Sequence, residues 1–329
     1  MPLIDDVRTL TPRIRARAPE IESAGAVPDD LIATLAGLGV FRAREPVELL
    51  DVVEELGCAD GSTGWVAMIA GSTAAALARL APELSAELSA DPRFLIAGVA
   101  APMGVASTVD GGFRVSGRWP FASGCRQATW LIGGVRTDTG VRMAVMRPDE
   151  LTVHDTWQVM VLAGTGSHDI EADGVFVPAA RVFAVADPRT PGLLAFGIAA
   201  VALGIARTAL EAFGELARSK RNPLTGETIA ATGGVRSAYA NAEALRASGP
   251  AHLRAAVAAD TAPAQLRLAT AAVDLVYTAA GGSAVYAGSP LQRCLRDVHV
   301  ATQHAMVNAD VVELAGAALL GEPVTPGRL

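Results

Sequence analysis

The hydrophobic period of this chain changes twice along its length, and that alternation limits the possible folds more than any other feature. From Asp5 to about Leu88, apolar residues recur every three or four positions: Val7, Leu10 and Ile14, then Leu31, Ile32, Leu35 and Leu38, then Leu49, Val52, Val53 and Leu56. That spacing lines one face of a helix. Pro28-Asp29-Asp30 is a helix start and Gly39 a stop, and Asp60-Gly61-Ser62-Thr63 caps a helix from about Gly64 to Leu80. After Asp91-Pro92, short β-rich runs alternate with turn residues: Phe94 to Ala100, Ala106 to Val109, Gly112 to Trp119, Ala128 to Val135, Arg142 to Met146, Thr152 to Gln158 and Asp169 to Val177. Asp110-Gly111-Gly112 and Thr137-Asp138-Thr139-Gly140 are hairpin turns by composition. From Pro191 the helical period returns, with Ile198, Val201, Ala202, Ile205, Ala209 and Phe213 on one stripe, and it continues to about Leu320 with breaks at Asn222-Pro223 and Gly249-Pro250. The expected fold class is mostly α with a central β-domain. Its segments are an N-terminal helical domain (1–92), a middle β-barrel or sandwich (93–186) and a C-terminal helical bundle (187–329).

Composition agrees with that division. Of 329 residues, 51% are hydrophobic and only 5% aromatic, and the excess of Ala, Val and Leu suits closely packed helices. The net charge of −7 comes with no dense Lys/Arg run, so nucleic acid is not an expected partner. Met1 to Arg13 has no apolar segment of the kind secretion signals carry, and the Ala-rich run from Gly192 to Ala206 is too short to span a bilayer. No membrane association and a cytoplasmic location are therefore expected. Cys58, Cys125 and Cys294 form no CxxC pair, and His154, His168 and His252 lack metal-ligand spacing, so no metal site is expected.

Four strings carry more specific information. They are Gly61-Ser62-Thr63-Gly64-Trp65-Val66-Ala67, the run Asp110-Gly111-Gly112-Phe113 through Trp119-Pro120-Phe121-Ala122-Ser123-Gly124, then Gly164-Thr165-Gly166-Ser167, and Ser289-Pro290-Leu291-Gln292-Arg293-Cys294 through His299-Val300-Ala301-Thr302-Gln303-His304. In this order they resemble the acyl-CoA dehydrogenase-like flavin-dependent monooxygenases, the oxygenase components of two-component systems. The resemblance covers nearly the whole chain and implies an acyl-CoA dehydrogenase-like fold. It implies reduced flavin, FMN or FAD, held without a covalent bond and supplied by a separate flavin reductase. It also implies reaction with O2 through a C4a-hydroperoxyflavin, hydroxylation of an aromatic, phenolic or heteroatom-containing small molecule, and a homo-oligomer, expected to be a tetramer.

Site residues follow from the same resemblance. His304 matches the family histidine that contacts the substrate's reacting group, where a near-neutral imidazole can take a phenolic proton. If the helix continues through it, Asp297 and Arg293 lie on nearly the same face and could form an ordered polar seam. Without the resemblance, His304 would be an interface histidine. Ser123 matches a serine near the flavin's reactive edge, and otherwise is turn punctuation. Trp157 and Ser167 match positions at the isoalloxazine and the flavin's polar groups. Pro102, Met103 and Gly104 occupy a strand-end loop laid against the ring, with Gly104 permitting close approach. Lys220 matches a basic position that can meet a flavin phosphate, or is a plain helix-end cation. Gly281 and Gly282 match a turn near the cofactor, or are a plain helix stop.

The chain departs from its relatives in several places. It is shorter, Ala163 stands where they commonly carry arginine, and Arg246 to Pro263 is too broken by Gly and Pro for the long paired helices expected there. Two further readings thus stay open: an acyl-CoA dehydrogenase, which would need a glutamate base at a position where none stands, and a flavin-poor, redox-neutral or structural relative.

Overall fold

The computed structural model describes residues 2–185, 192–259 and 265–322, so the expected boundary at 186/187 and most of the C-terminal tail lie outside the described residues. Six helices come first: α1 (Leu3–Ala16), α2 (Ala18–Ala24), α3 (Asp29–Gly37), α4 (Pro46–Ala59), α5 (Gly61–Leu80) and α6 (Pro82–Leu88). Seven strands follow: β1 (Ile96–Val109), β2 (Gly112–Ala122), β3 (Trp130–Thr137), β4 (Gly140–Met146), β5 (Thr152–His154), β6 (His168–Pro178) and β7 (Val182–Ala184). Helices then return as α7 (Gly192–Ser219), α8 (Gly233–Ala259), α9 (Gln265–Ala280), α10 (Pro290–Ala301) and α11 (Ala309–Leu319). By contacts the chain forms two compact units, one of Met1–Leu49 with Trp65–Thr190 and the other of Leu50–Gly64 with Pro191–Leu329.

In the first unit the seven strands form one sheet in the order β5-β6-β2-β1-β3-β4-β7. The β1–β3 pair is parallel and the others are antiparallel. Trp119 organises this sheet. Its indole is fully buried and Nε1–H donates to the Gly134 carbonyl at 2.8 Å. A Cβ at Gly104, Gly117 or Gly133 would come within 2.4, 3.1 and 2.7 Å of that indole, so three glycines on three strands make the slot the ring fills. Leu77, Leu84, Leu88, Phe94, Ile96, Ile132, Met143 and Val145 form a buried apolar cluster drawn from α5, α6, the segment just before β1 and the strands. Arg17, bridging Glu20 and Asp30, ties α2 to α3 at the surface, a contact of modest worth because it is exposed.

β1 corrects one expectation. Ala101-Pro102-Met103-Gly104 is the middle of a continuous strand rather than a loop, with the β1–β3 register shifting between Val99 and Gly104. Pro102 has no N–H for the ladder, and the irregularity absorbs it.

In the second unit α7 is the central helix. Ile198, Val201, Ala202, Ile205, Ala209 and Phe213 are all buried. The helix runs on to Ser219, so by length and composition it could cross a membrane, contrary to the short run expected, but 78% of its most apolar window is buried within the protein. Backbones approach closely here: a Cβ on Gly204 would lie 2.3 Å from the Glu54 carbonyl oxygen and 2.6 Å from the Cys58 nitrogen, and one on Gly57 would lie 2.9 Å from the Val201 oxygen. Asp60 caps α5 by accepting from the Thr63 N–H at 2.7 Å and from its hydroxyl at 2.9 Å. The predicted break at Gly249-Pro250 is absent. Both residues lie inside α8, and Leu203 of α7 packs where a Cβ on Gly249 would stand. Tertiary packing outweighs the local helix-breaking preference, and the stretch expected to be broken is largely helical. Gly204→Ala should destabilise the protein by about 2–3 kcal/mol, since backbone rather than a flexible side chain must yield. An unchanged urea midpoint for this variant would refute the close α4–α7 contact.

Candidate functional site

The structure brings three hydroxyl side chains together in the first unit. β2 ends at Ala122, and Phe121 just before that end takes φ +64°, turning the chain so that Ser123 points inward. On the other side, Leu162 at φ +44° opens the short turn Ala163–Thr165 that leads into β6. Among the described residues these are the non-glycine positions with positive φ, and both flank the same cluster. Such conformations cost of order 1–3 kcal/mol each and persist where surrounding structure fixes them. Ser123 Oγ lies 2.7 Å from Ser167 Oγ, which lies 2.7 Å from Thr165 Oγ1. Thr165 Oγ1 donates to the Leu162 carbonyl at 2.8 Å, and the Trp65 indole N–H donates to Ser123 Oγ at 3.2 Å. The Gly124 N–H donates to the Thr165 carbonyl at 2.8 Å, stitching the two segments. Ser123, Thr165, Ser167 and Trp65 are all buried.

Aromatic groups border the cluster. Phe121 is 68% exposed and meets Trp157 edge-on, with ring centroids 6.1 Å apart. Trp157 is half-buried; its indole N–H donates to the Leu162 carbonyl at 3.4 Å and its backbone N–H donates to His168 Nδ1 at 3.2 Å. Thus Ser123, Ser167 and Trp157, predicted separately, meet at one place. Met103 is exposed on β1, while Gly104 faces inward and its missing side chain is accounted for by Trp119. Ala163 sits in the turn beside Gly25.

The remaining predicted residues belong to the second unit. Lys220 Nζ donates to the Ala280 carbonyl at 3.1 Å, so it caps the end of α9 where Gly281, at φ +58°, and Gly282 turn the chain away. His304 corrects an expectation: α10 ends at Ala301, so His304 lies in the turn beyond and not on a helical face shared with Asp297 and Arg293. Those two residues line a small cavity with Cys58, Asp60, Thr208 and Cys294 instead. Half-buried, His304 accepts at Nδ1 from the Met306 N–H at 3.2 Å, and burial holds its pKa below the ordinary imidazole value. With Nδ1 accepting, the neutral ring carries its hydrogen on Nε2. His299 pairs with Asp274 at 2.8 Å.

Sequence reasoning missed Thr165 and the bond from Trp65 to Ser123. The motifs contained both residues, but nothing in their spacing announced a contact 58 positions apart.

Comparison with known proteins identifies the family. The model for the acyl-CoA dehydrogenase C-terminal domain matches residues 224–309. The chain is 30% identical to indole-3-acetate monooxygenase of Pseudomonas putida, covering 99% of this chain and 94% of that one. It is also 30% identical to the flavin-dependent monooxygenase oxygenase subunit HsaA of Rhodococcus jostii, with 96% and 97% covered. The crystal structure of 3-HSA hydroxylase from Rhodococcus sp. superposes with a TM-score of 0.86 at 25% identity, over 100% of this chain and 99% of that one. The chain belongs to the flavin-dependent monooxygenases of acyl-CoA dehydrogenase-like fold, and it is an oxidoreductase that works with reduced flavin.

The hydroxyl cluster fits such a cofactor. An isoalloxazine is flat and apolar on its faces but hydrogen-bonds along its edge, and here buried hydroxyls adjoin the exposed Phe121 and the half-buried Trp157.

His168 gives a measurable signature. It is buried, and desolvation followed by the nearby Arg126 charge lowers its pKa against the opposing pull of Asp155. The unfolded chain therefore takes up this proton first, and stability, full above about pH 6.5, falls as the pH drops toward the folded value. His168→Asn, which keeps an acceptor for the Trp157 N–H, should flatten the dependence of Tm on pH between about 7 and 5. Identical slopes for parent and variant would show that His168 does not carry it.

Proposed function

We propose that this protein is the oxygenase component of a two-component system, taking reduced FMN or FAD from a separate reductase and inserting one oxygen atom of O2 into an electron-rich aromatic or heteroatom-containing small molecule. The observation that carries the reading is the buried Ser123–Ser167–Thr165 cluster beside Phe121 and Trp157. The reduced flavin supplies the electrons that activate oxygen. In this reading Ser123 and Ser167 meet its polar edge, and Trp157, Pro102, Met103 and Gly104 lie near its ring. The resemblance assigns Lys220, Gly281 and Gly282 to a flavin phosphate, and they lie together at the end of α9.

His304 contacts the substrate oxygen. In the tautomer its Nδ1 bond selects, Nε2–H donates to a phenolate and stabilises the charged, more nucleophilic form. Taking the proton from a phenol requires the opposite tautomer and loss of the Met306 contact. The dehydrogenase reading has no support from acidic residues: α7 carries none before Glu211, and Ala305 to Asn308 contains none.

Reduced flavin mixed with the protein and then with oxygen should give a long-lived oxygenated flavin absorbance, and NAD(P)H alone should give none. Decay as fast as in free solution would refute the assignment. His304→Ala should leave flavin binding intact and slow oxygen transfer on the order of a hundredfold; transfer at the parent rate would make the histidine structural.

A cytoplasmic homotetramer completes the reading. Val285, Tyr286, Leu319 and Leu320 are 62%, 72%, 88% and 82% exposed in the single chain and are the apolar side chains that assembly would cover in this reading. Light scattering at micromolar concentration should report a tetramer, and a stable monomer would overturn it.

A further inference from the structure

The direction of every hydrogen in the hydroxyl cluster follows from its end. The Leu162 carbonyl can only accept, so Thr165 spends its one hydroxyl hydrogen there. In the 2.7 Å contact between Thr165 and Ser167, Ser167 must then be the donor. That uses the hydrogen of Ser167, so in its 2.7 Å contact with Ser123 the donor must be Ser123. The Trp65 indole N–H can only donate, and it takes one lone pair of Ser123 Oγ. Ser123 thus accepts from Trp65, donates to Ser167 and retains one lone pair. Among the described residues no other donor to it is found. Reversing the chain would leave the Thr165 hydroxyl oxygen 2.8 Å from the Leu162 carbonyl oxygen with no hydrogen between them, a costly contact among buried groups.

We propose that Thr165 and Ser167, with Trp65, are positioning residues that lock Ser123 as a hydrogen-bond acceptor toward the flavin, so that the site selects reduced over oxidised cofactor. N5 of an isoalloxazine carries a hydrogen when reduced and a bare lone pair when oxidised. An acceptor-only serine is matched to the first and opposed to the second. The proposal rests on the reading that places Ser123 at the flavin's reactive edge, and it adds what sets the polarity of that contact. Thr165 touches no cofactor in this scheme and acts two hydroxyls away.

The test is the ratio of dissociation constants for oxidised and reduced flavin, measured on the full chain by anaerobic titration with FMN and with FAD, each before and after reduction by dithionite. Thr165→Val is nearly isosteric and frees the Ser167 hydrogen, which can turn to Ser123 and release the Ser123 hydrogen toward the flavin. Ser167→Ala releases it directly. Both should lower the preference for reduced flavin about tenfold, equivalent to a drop of about 30 mV in the bound flavin's two-electron potential. Ser123→Ala should abolish the contribution altogether. If Thr165→Val does not fold, Thr165→Ala removes the same hydroxyl and carries the test, because Thr165 does not touch the flavin in this scheme. A merely structural role for these hydroxyls would weaken both redox forms equally. That result, with Ser123→Ala still shifting the ratio, overturns the proposal while leaving Ser123 at the flavin. A parental ratio in Ser123→Ala removes Ser123 from the reactive edge, and the proposal falls with it.

Discussion

Burial of the Trp119 indole is the constraint on which the first unit depends. A large ring inside a sheet needs space that ordinary side chains would fill, and Gly104, Gly117 and Gly133 vacate that space on β1, β2 and β3 together. The Nε1–H bond to the Gly134 carbonyl then fixes the ring in one orientation. The consequence is positional: β2 is pinned at Trp119, so the two residues that follow have little freedom. Two residues on, Phe121 takes a left-handed conformation and Ser123 meets Ser167. Loss of any of the three glycines would push on the strand that aims the site.

Strain at Phe121 and Leu162 belongs to the same economy of packing. Neither is glycine, and a local preference would place both in extended or right-handed backbone. Each is held by bonds made immediately after it: the Ser123 N–H to the Phe121 carbonyl, and both the N–H and the hydroxyl of Thr165 to the Leu162 carbonyl. The bond that holds Leu162 in its turn is therefore also the bond that sets the direction of the hydroxyl chain. Backbone geometry and hydrogen-bond polarity are fixed by one interaction.

Much of this was legible in the sequence, for identifiable reasons. Strand positions were readable because Asp110-Gly111-Gly112 and the turn ending at Gly140 punctuate a period-two pattern, and the observed strands begin and end near those marks. The α7 stripe was readable because its buried positions keep helical spacing. Two local rules failed where tertiary contact decides. Pro102 suggested a loop, but a register shift absorbs it within β1; Gly249-Pro250 suggested a break, but Leu203 packs against α8 there and the helix continues. His304 failed differently. A seven-residue spacing from Asp297 implies a shared face only while the helix lasts, and α10 stops three residues short.

The hydroxyl cluster marks the limit of motif reading. Ser123 and Ser167 could be picked out singly from their strings, and both are buried together in the structure. What makes them a unit is Thr165, which pattern alone treats as filler between two glycines. A threonine and a serine are interchangeable to a sequence pattern, and even valine would fit the shape. They differ in whether one hydrogen has somewhere to go. Because the Leu162 carbonyl consumes the hydrogen of Thr165, the difference passes through Ser167 to Ser123, and the polarity of a site comes to depend on a residue that need not touch what the site binds.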